Sequence, residues 1–164
     1  MSHVVLLVTC DIRHATCDMR ISSKGEYGLR ALFDLTQRYG AGPVQSHDIH
    51  MRQDIDENYL NQILISLRKA GLIESVRGPQ GGHRLARPPS QITLLEVVTA
   101  LEGPLLPPDS ARASGDTAQA LDLDIIREVW AGARDALESY LGSLTLEDLA
   151  QRKRRRVGEV MYYI

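Results

Sequence analysis

A glycine-rich turn, Gly78-Pro79-Gln80-Gly81-Gly82, joins two short β-prone stretches directly behind an amphipathic helix, and that order leaves the chain few folds. Residues 72–76 and 83–86 carry the strand character, and the turn between them permits a tight reversal, so the segment reads as a β-hairpin. In front of it Asp56 has the chemistry of an N-cap, Leu60, Ile63, Leu64 and Leu67 recur at helical spacing, and Gly71 supplies a stop. Two more helices are expected upstream. One runs over about residues 24–39, opened by Ser23-Lys24-Gly25-Glu26 as a capping box, with Tyr27, Ala31, Leu32 and Leu35 on its apolar face and Gly40-Ala41-Gly42-Pro43 as its end. The other is short, over 46–52. Three helices followed by a hairpin predict a mainly α fold with a small β-hairpin wing, a winged helix-turn-helix.

Downstream, Arg87-Pro88-Pro89 stops the hairpin, and a second capping box, Thr93-Leu94-Leu95-Glu96, opens a helix that ends at Gly103-Pro104. Residues 105–120 are rich in Pro, Ala, Ser and Asp and read as a flexible loop. Ile126, Trp130, Ala133, Leu137, Tyr140 and Leu144 then advance by alternating steps of four and three, the seam spacing of helices packed lengthwise. Such a helix requires a partner, and a homodimer is the expectation. A last helix begins near 145–148 and finishes in the basic run Arg152-Lys153-Arg154-Arg155-Arg156. The expected organisation is therefore a winged domain over 19–103, a loop over 104–120, and a dimerisation helix with a C-terminal helix over 121–164. Residues 1–18 are expected to be an extension preceding a natural start at Met19.

Composition narrows the class. No apolar run approaches the roughly 18 to 20 residues of a bilayer span, and the apolar stretch near the N-terminus lacks the basic beginning of a signal peptide, so a cytoplasmic protein without membrane association is expected. The two cysteines, Cys10 and Cys17, both precede the winged segment and cannot staple it. Net charge is −2, yet it is unevenly placed. Residues 19–89 hold 10 basic against 7 acidic side chains, residues 90–150 hold 3 against 11, and residues 151–164 hold 5 against 1. A basic front half suits a molecule with one face turned to a polyanion.

The free face of the third helix carries Asn58, Asn61 and Gln62, with Arg68 and Lys69 near its end. Amides pair bidentately with adenine edges, Arg with guanine or phosphate, and Arg77 and Arg84 on the hairpin can lie along a neighbouring groove, so double-stranded DNA is the expected partner. Polar residues on one helix face more often merely solvate it. The hairpin immediately behind tips the balance toward DNA. Other chemistries are weaker. His47 and His50 stand three apart, as two metal ligands might, but the body of the chain has no second paired motif to complete a zinc site, and no metal is assigned. Gly78–Gly82 lacks the Gly-Lys-Ser/Thr ending of a phosphate loop, and no nucleophile, base and orienting group share a motif, so no enzyme is expected.

The chain resembles the IscR, NsrR and CymR type of winged-helix regulators. The resemblance rests on Met19-Arg20-Ile21-Ser22-Ser23-Lys24-Gly25-Glu26-Tyr27, on Tyr59-Leu60-Asn61-Gln62, on Leu67-Arg68-Lys69-Ala70-Gly71-Leu72-Ile73, and most specifically on Ser75-Val76-Arg77-Gly78-Pro79-Gln80-Gly81-Gly82-His83-Arg84-Leu85-Ala86. It returns at Trp130, at Leu144-Thr145-Leu146-Glu147-Asp148-Leu149 and at Tyr162-Tyr163-Ile164. It implies a homodimer with a long crossing helix on a roughly palindromic operator, usually a repressor. It adds Lys24, Tyr27, Gly78 and His83 to the DNA-facing set, in which Tyr59 joins Asn58, Asn61 and Gln62 by its place in the opening turns of the third helix. Cluster-binding members carry three cysteines between the domain's last helix and the long helix. Residues 104–130 contain neither Cys nor His here, Ser110, Asp116, Asp124 and Arg127 standing roughly in those places, and thiolates hold such clusters, so no cofactor is expected. Asp54 stands where the family usually has glycine, and His50 where it usually has alanine. Members resembling CymR imply the alternative of an interaction module controlled by a partner enzyme, and a small-molecule effector of the dimer region is equally open.

Overall fold

The computed structural model describes residues 21–104 and 118–161, with the backbone alone at 118–121 and 159–161. Its elements are α1 (Ser23–Gln37), α2 (Ser46–Gln53), α3 (Glu57–Lys69), β1 (Ile73–Val76), β2 (Gly82–Leu85), a 3₁₀ turn (Pro89–Gln91), α4 (Leu94–Glu102), α5 (Ala118–Gly142) and α6 (Leu146–Met161). The fold is a winged helix-turn-helix with a small antiparallel hairpin. One core serves the N-terminal part: Leu32, Ile49, Leu60, Ile63, Leu64, Leu67, Leu72, Ile73, Ile92, Val97 and, from α6, Leu146 are all buried in it. The four apolar positions read on α3 are its four buried ones.

The helix ends follow their local chemistry. Asp56 caps α3 by accepting from the Tyr59 amide at 3.0 Å. Thr93 and Glu96 form a reciprocal capping box at α4, and Thr145 and Asp148 do the same at the head of α6, with Thr145 N–H and Oγ1 donating to Asp148 Oδ2 at 2.8 and 2.7 Å. The start of α1 differs from the sequence reading. Ser22, not Ser23, is the N-cap, its Oγ accepting from Gly25 N–H at 3.3 Å. Glu26 does not close a box; the carboxylate that accepts from Ser22 belongs to Glu102, 80 residues away. Sequence spacing cannot register a partner at that separation.

Two backbone positions set the turn and wing. Asp54 is left-handed, φ 51°, and its N–H donates to His50 O, closing α2 and redirecting the chain into α3. At the wing, Val44 and His83 exchange both backbone hydrogen bonds, 2.9 and 2.7 Å, which ties β2 to the segment before α2. The neighbouring Gly82 needs its missing side chain, because a Cβ there would lie 2.3 Å from Val44 O. Of the expected loop, residues 105–117 lie outside the described residues, and 118–120 are already helical. Leu144, read as the end of the α5 seam, falls beyond α5 and packs on the core of its own chain.

Candidate nucleic-acid interface

The first turns of α3 present Asn58, Asn61 and Gln62 to solvent, while Leu60, Ile63 and Leu64 bury the opposite face. Tyr59 is half-buried and packs on the core, its ring edge-on to Tyr27 with centroids 6.0 Å apart. Tyr27 in turn has the Arg30 guanidinium 5.4 Å from its ring centroid. The opening turns of α1 and α3 therefore lie side by side, and Lys24 stands one turn before Tyr27 in the first turn of α1.

The wing follows α3 directly. In its register Glu74 faces Arg84 and Ser75 faces His83. Arg84 Nη2 lies 3.0 Å from Glu74 Oε2, both side chains being about half exposed, so the pair orients Arg84 along the hairpin without contributing much stability. Arg77 and Gly78 are exposed at the turn, and Gly78 adopts φ 118°. His83 is half-buried and its Nδ1 is 3.2 Å from Ser75 Oγ. Burial holds the imidazole below its ordinary pKa, and the nearby positive Arg68 pushes the same way. The end of α3, where Arg68 and Lys69 are exposed, precedes the wing directly, and α3 packs against β1. Asn58, Asn61, Gln62, Lys69, Arg77, Gly78 and Arg84 are thus all exposed; Lys24, Tyr27, Tyr59 and His83 are partly covered.

What holds this assembly in position was not evident from spacing. Asp34 on α1 is 1% exposed and accepts from Arg38, Arg52 and Gln53, linking α1 to the last turn of α2. Arg52 consequently titrates above the ordinary arginine value, the Asp34 hydrogen bond outweighing partial burial. Arg30 donates to the Gln53 carbonyl, and His50 Nδ1 lies 2.6 Å from the Ile55 carbonyl oxygen. Those contacts fasten the α2–α3 turn. An available signal was an acid at position 34, between Ala31 and Leu35 on the apolar side of α1, where a carboxylate requires a cationic partner.

On α5, Leu123, Ile126, Trp130 and Tyr140 are each 47–58% exposed, Ala133 is exposed and Leu137 half-buried. Ile125 and Val129, at 61% and 67%, widen the apolar stripe. Among the described residues no three His, Cys, Asp or Glu side chains form a metal-holding group, and His47 sits 3.9 Å from Glu57 instead. No helix among the described residues is long and apolar enough to cross a membrane.

Residues 21–152 match the model of a family described as Rrf2, iron-dependent transcriptional regulator. The chain is 38% identical over 146 residues to the transcriptional regulator CymR of Bacillus subtilis, covering 89% of this chain and all of that protein. It is 37% identical over 136 residues to the regulator IscR of Xenorhabdus nematophila, covering 82% and 81%. Among solved structures it resembles CymR, the global cysteine regulator of B. subtilis, with a TM-score of 0.68 over 81% of this chain and 97% of that one, at 38% identity. It likewise resembles T. potens IscR, TM-score 0.66, 39% identity, over 82% and 88%.

Proposed function

The chain belongs to the Rrf2 family of transcriptional regulators, and on that premise we propose that it is a cytoplasmic homodimer that binds a roughly palindromic operator and represses from it. One observation carries the reading. The exposed amides Asn58, Asn61 and Gln62 stand at the opening of α3, the part of a recognition helix that reaches base edges, and a basic hairpin bearing Arg77 and Arg84 adjoins the other end of the same helix. The exposed stripe of α5 supports two-fold pairing, since a lengthwise apolar seam on a lone helix is poorly solvated. Two copies so joined would offer two α3 helices to successive major grooves.

The donor set does not fit a thiolate-held iron–sulfur cluster. Residues 104–130 contain no Cys or His, and the only cysteines of the sequence are Cys10 and Cys17. We therefore place the signal elsewhere than in a cluster at that segment.

Selection of bound duplexes from a random pool tests the reading, followed by gel shifts of the selected and a scrambled duplex at two salt concentrations. The expected result is an enriched two-fold symmetric site bound far more tightly than scrambled DNA. Failure to enrich any sequence would sink operator binding and favour an interaction module controlled by a protein partner.

A further inference from the structure

We infer that Glu102 is a positioning residue for DNA binding, holding the first turn of α1, and with it Lys24, in place beside the recognition helix; this rests on the DNA-binding reading above. Glu102 is the last residue of α4, and its Oε1 receives both the Ser22 N–H at 3.2 Å and the Ser22 hydroxyl at 2.6 Å. Ser22 is also the N-cap of α1, so one side chain is bonded to α4 and to the helix it starts.

The fit depends on Gly25. A Cβ there would stand 2.1 Å from Glu102 Oε1 and 2.9 Å from Ile21 Cγ2, so the carboxylate rests in the space that the absent side chain leaves on the helix surface. A carboxylate at a helix N-terminus is favoured by the unpaired amides and the helix dipole. Gly25 and Gly28 are both buried against α4, the latter leaving no room between its Cα and Leu101. The α1–α4 interface is accordingly close-packed at Gly25 and Gly28, with the Ser22–Glu102 hydrogen bonds at one end.

That end lies on the DNA-facing side. Lys24 is two residues after Ser22, and Tyr27, one turn on, touches Tyr59 of α3. Releasing Glu102 would let the first turn of α1 fray, moving the Lys24 ammonium while leaving α3 anchored by its own apolar face. Glu102 thus joins the end of α4, a helix that also packs against α5, to the first turn of α1.

Two neutral variants separate position from charge. Glu102→Gln keeps an acceptor for Ser22, and Glu102→Ala does not, while both remove the same negative charge near DNA. Binding of the full chain to selected and to scrambled duplex is measured from low to high salt, with thermal unfolding as a control. Glu102→Gln should bind at least as well as the parent. Glu102→Ala should bind about threefold more weakly than Glu102→Gln on both duplexes, with a salt slope shallower by about one unit, as for one lost phosphate contact. Gly25→Ala, which displaces the carboxylate without removing its charge, should show the same shallower slope. Equal affinity and equal slope for the Gln and Ala variants would overturn the inference alone. Binding by the parent that does not distinguish the duplexes would overturn operator recognition, and the slope comparison on scrambled DNA would still decide the role of Glu102. No binding by the parent at all would overturn both.

Discussion

Asp34 and Arg52 meet two-to-two across the α1–α2 contact, with Arg52 Nε 3.0 Å from Oδ1 and Nη2 2.8 Å from Oδ2. The carboxylate is almost wholly buried, whereas the Arg52 side chain keeps a third of its surface in water. Removing the cation is therefore the harsher change, because it strands a buried charge with only Arg38 and Gln53 as partners. Losing one member of a fully buried pair costs about 3 to 5 kcal/mol; partial exposure and the remaining Arg38 contact reduce the expectation for Arg52→Ala to about 2 kcal/mol. Arg38→Ala, which removes a single contact to the carboxylate, should cost less. Urea midpoints of the two variants check the order.

Asp54 holds a left-handed conformation, the only one among the described residues other than glycine. Its turn joins α2 to α3, so strain there acts on the placement of α3. Asp tolerates this region better than most side chains but less well than glycine. Asp54→Gly should raise stability by about 0.5 to 1 kcal/mol, read as a higher urea midpoint with unchanged slope.

Short-range patterns were legible in the sequence. The apolar positions of α3, the Asp56 cap, the Thr93–Glu96 box and the hairpin at Gly78–Gly82 all depend on neighbours within a few residues, and all occur as the spacing implies. Polar contacts between distant residues were not legible. Spacing favours Ser23 as the cap because Glu26 stands three residues on, yet Ser22 takes that place and also donates to Glu102 of α4, a partner that no local pattern reveals. The pairing of Arg52 with the buried Asp34, 18 residues away, is of the same kind. Leu144 fitted the seam period, yet α5 stops at Gly142 and the chain turns Leu144 inward, because periodicity carries no information on where a helix ends.

Acid should weaken the fold through groups at helix starts and at the wing. Glu96 is held below its ordinary value of 4.5 first by the Thr93 amide and then by Arg87, and Asp148 below 3.8 by the Thr145 hydroxyl and amide. A carboxyl lowered on folding contributes stability that is complete above its unfolded value and is lost as pH falls through the folded one. His83 is also lowered, from 6.5, so the unfolded chain takes up its proton first and stability declines as pH drops below that value. Two acid limbs are expected in urea midpoints, one beginning near 6.5 and one below about 4.5. His83→Gln should remove the first and Glu96→Gln should flatten the second. A midpoint unchanged between pH 7 and 5 in the parent chain would contradict the assignment to His83.

Dimerisation should depend on the α5 seam. Ile126 is 52% and Trp130 47% exposed on one chain, and Leu137 follows on the same stripe. Leu137→Asp would place a charge at the centre of the proposed two-fold interface and should yield monomers in sedimentation. Ser143→Asp, beyond the helix end, should leave the mass unchanged. A dimer retained by Leu137→Asp would locate the contact elsewhere.

Base reading and phosphate holding should separate between α3 and the wing. Asn61 and Gln62 are exposed in the second turn of α3, away from its buried apolar face, so their loss should leave stability near the parent's. Alanine at either should weaken binding by about 1 to 3 kcal/mol at particular base pairs and relax the preference there. Arg84 is already drawn toward Glu74, so a phosphate must compete with that carboxylate, and the net gain from each contact is reduced. Arg84→Ala should still weaken all duplexes alike and flatten the salt slope by about one unit. Glu74→Ala should do the opposite in affinity, strengthening selected and scrambled duplex together, because it frees Arg84 and removes a negative charge from the wing. Arg77, at the tip, is free to enter a narrow minor groove, so its loss should penalise A·T-rich flanks more than others. Equal losses on selected and scrambled DNA for Asn61→Ala and Gln62→Ala would mean that α3 contributes affinity without reading sequence.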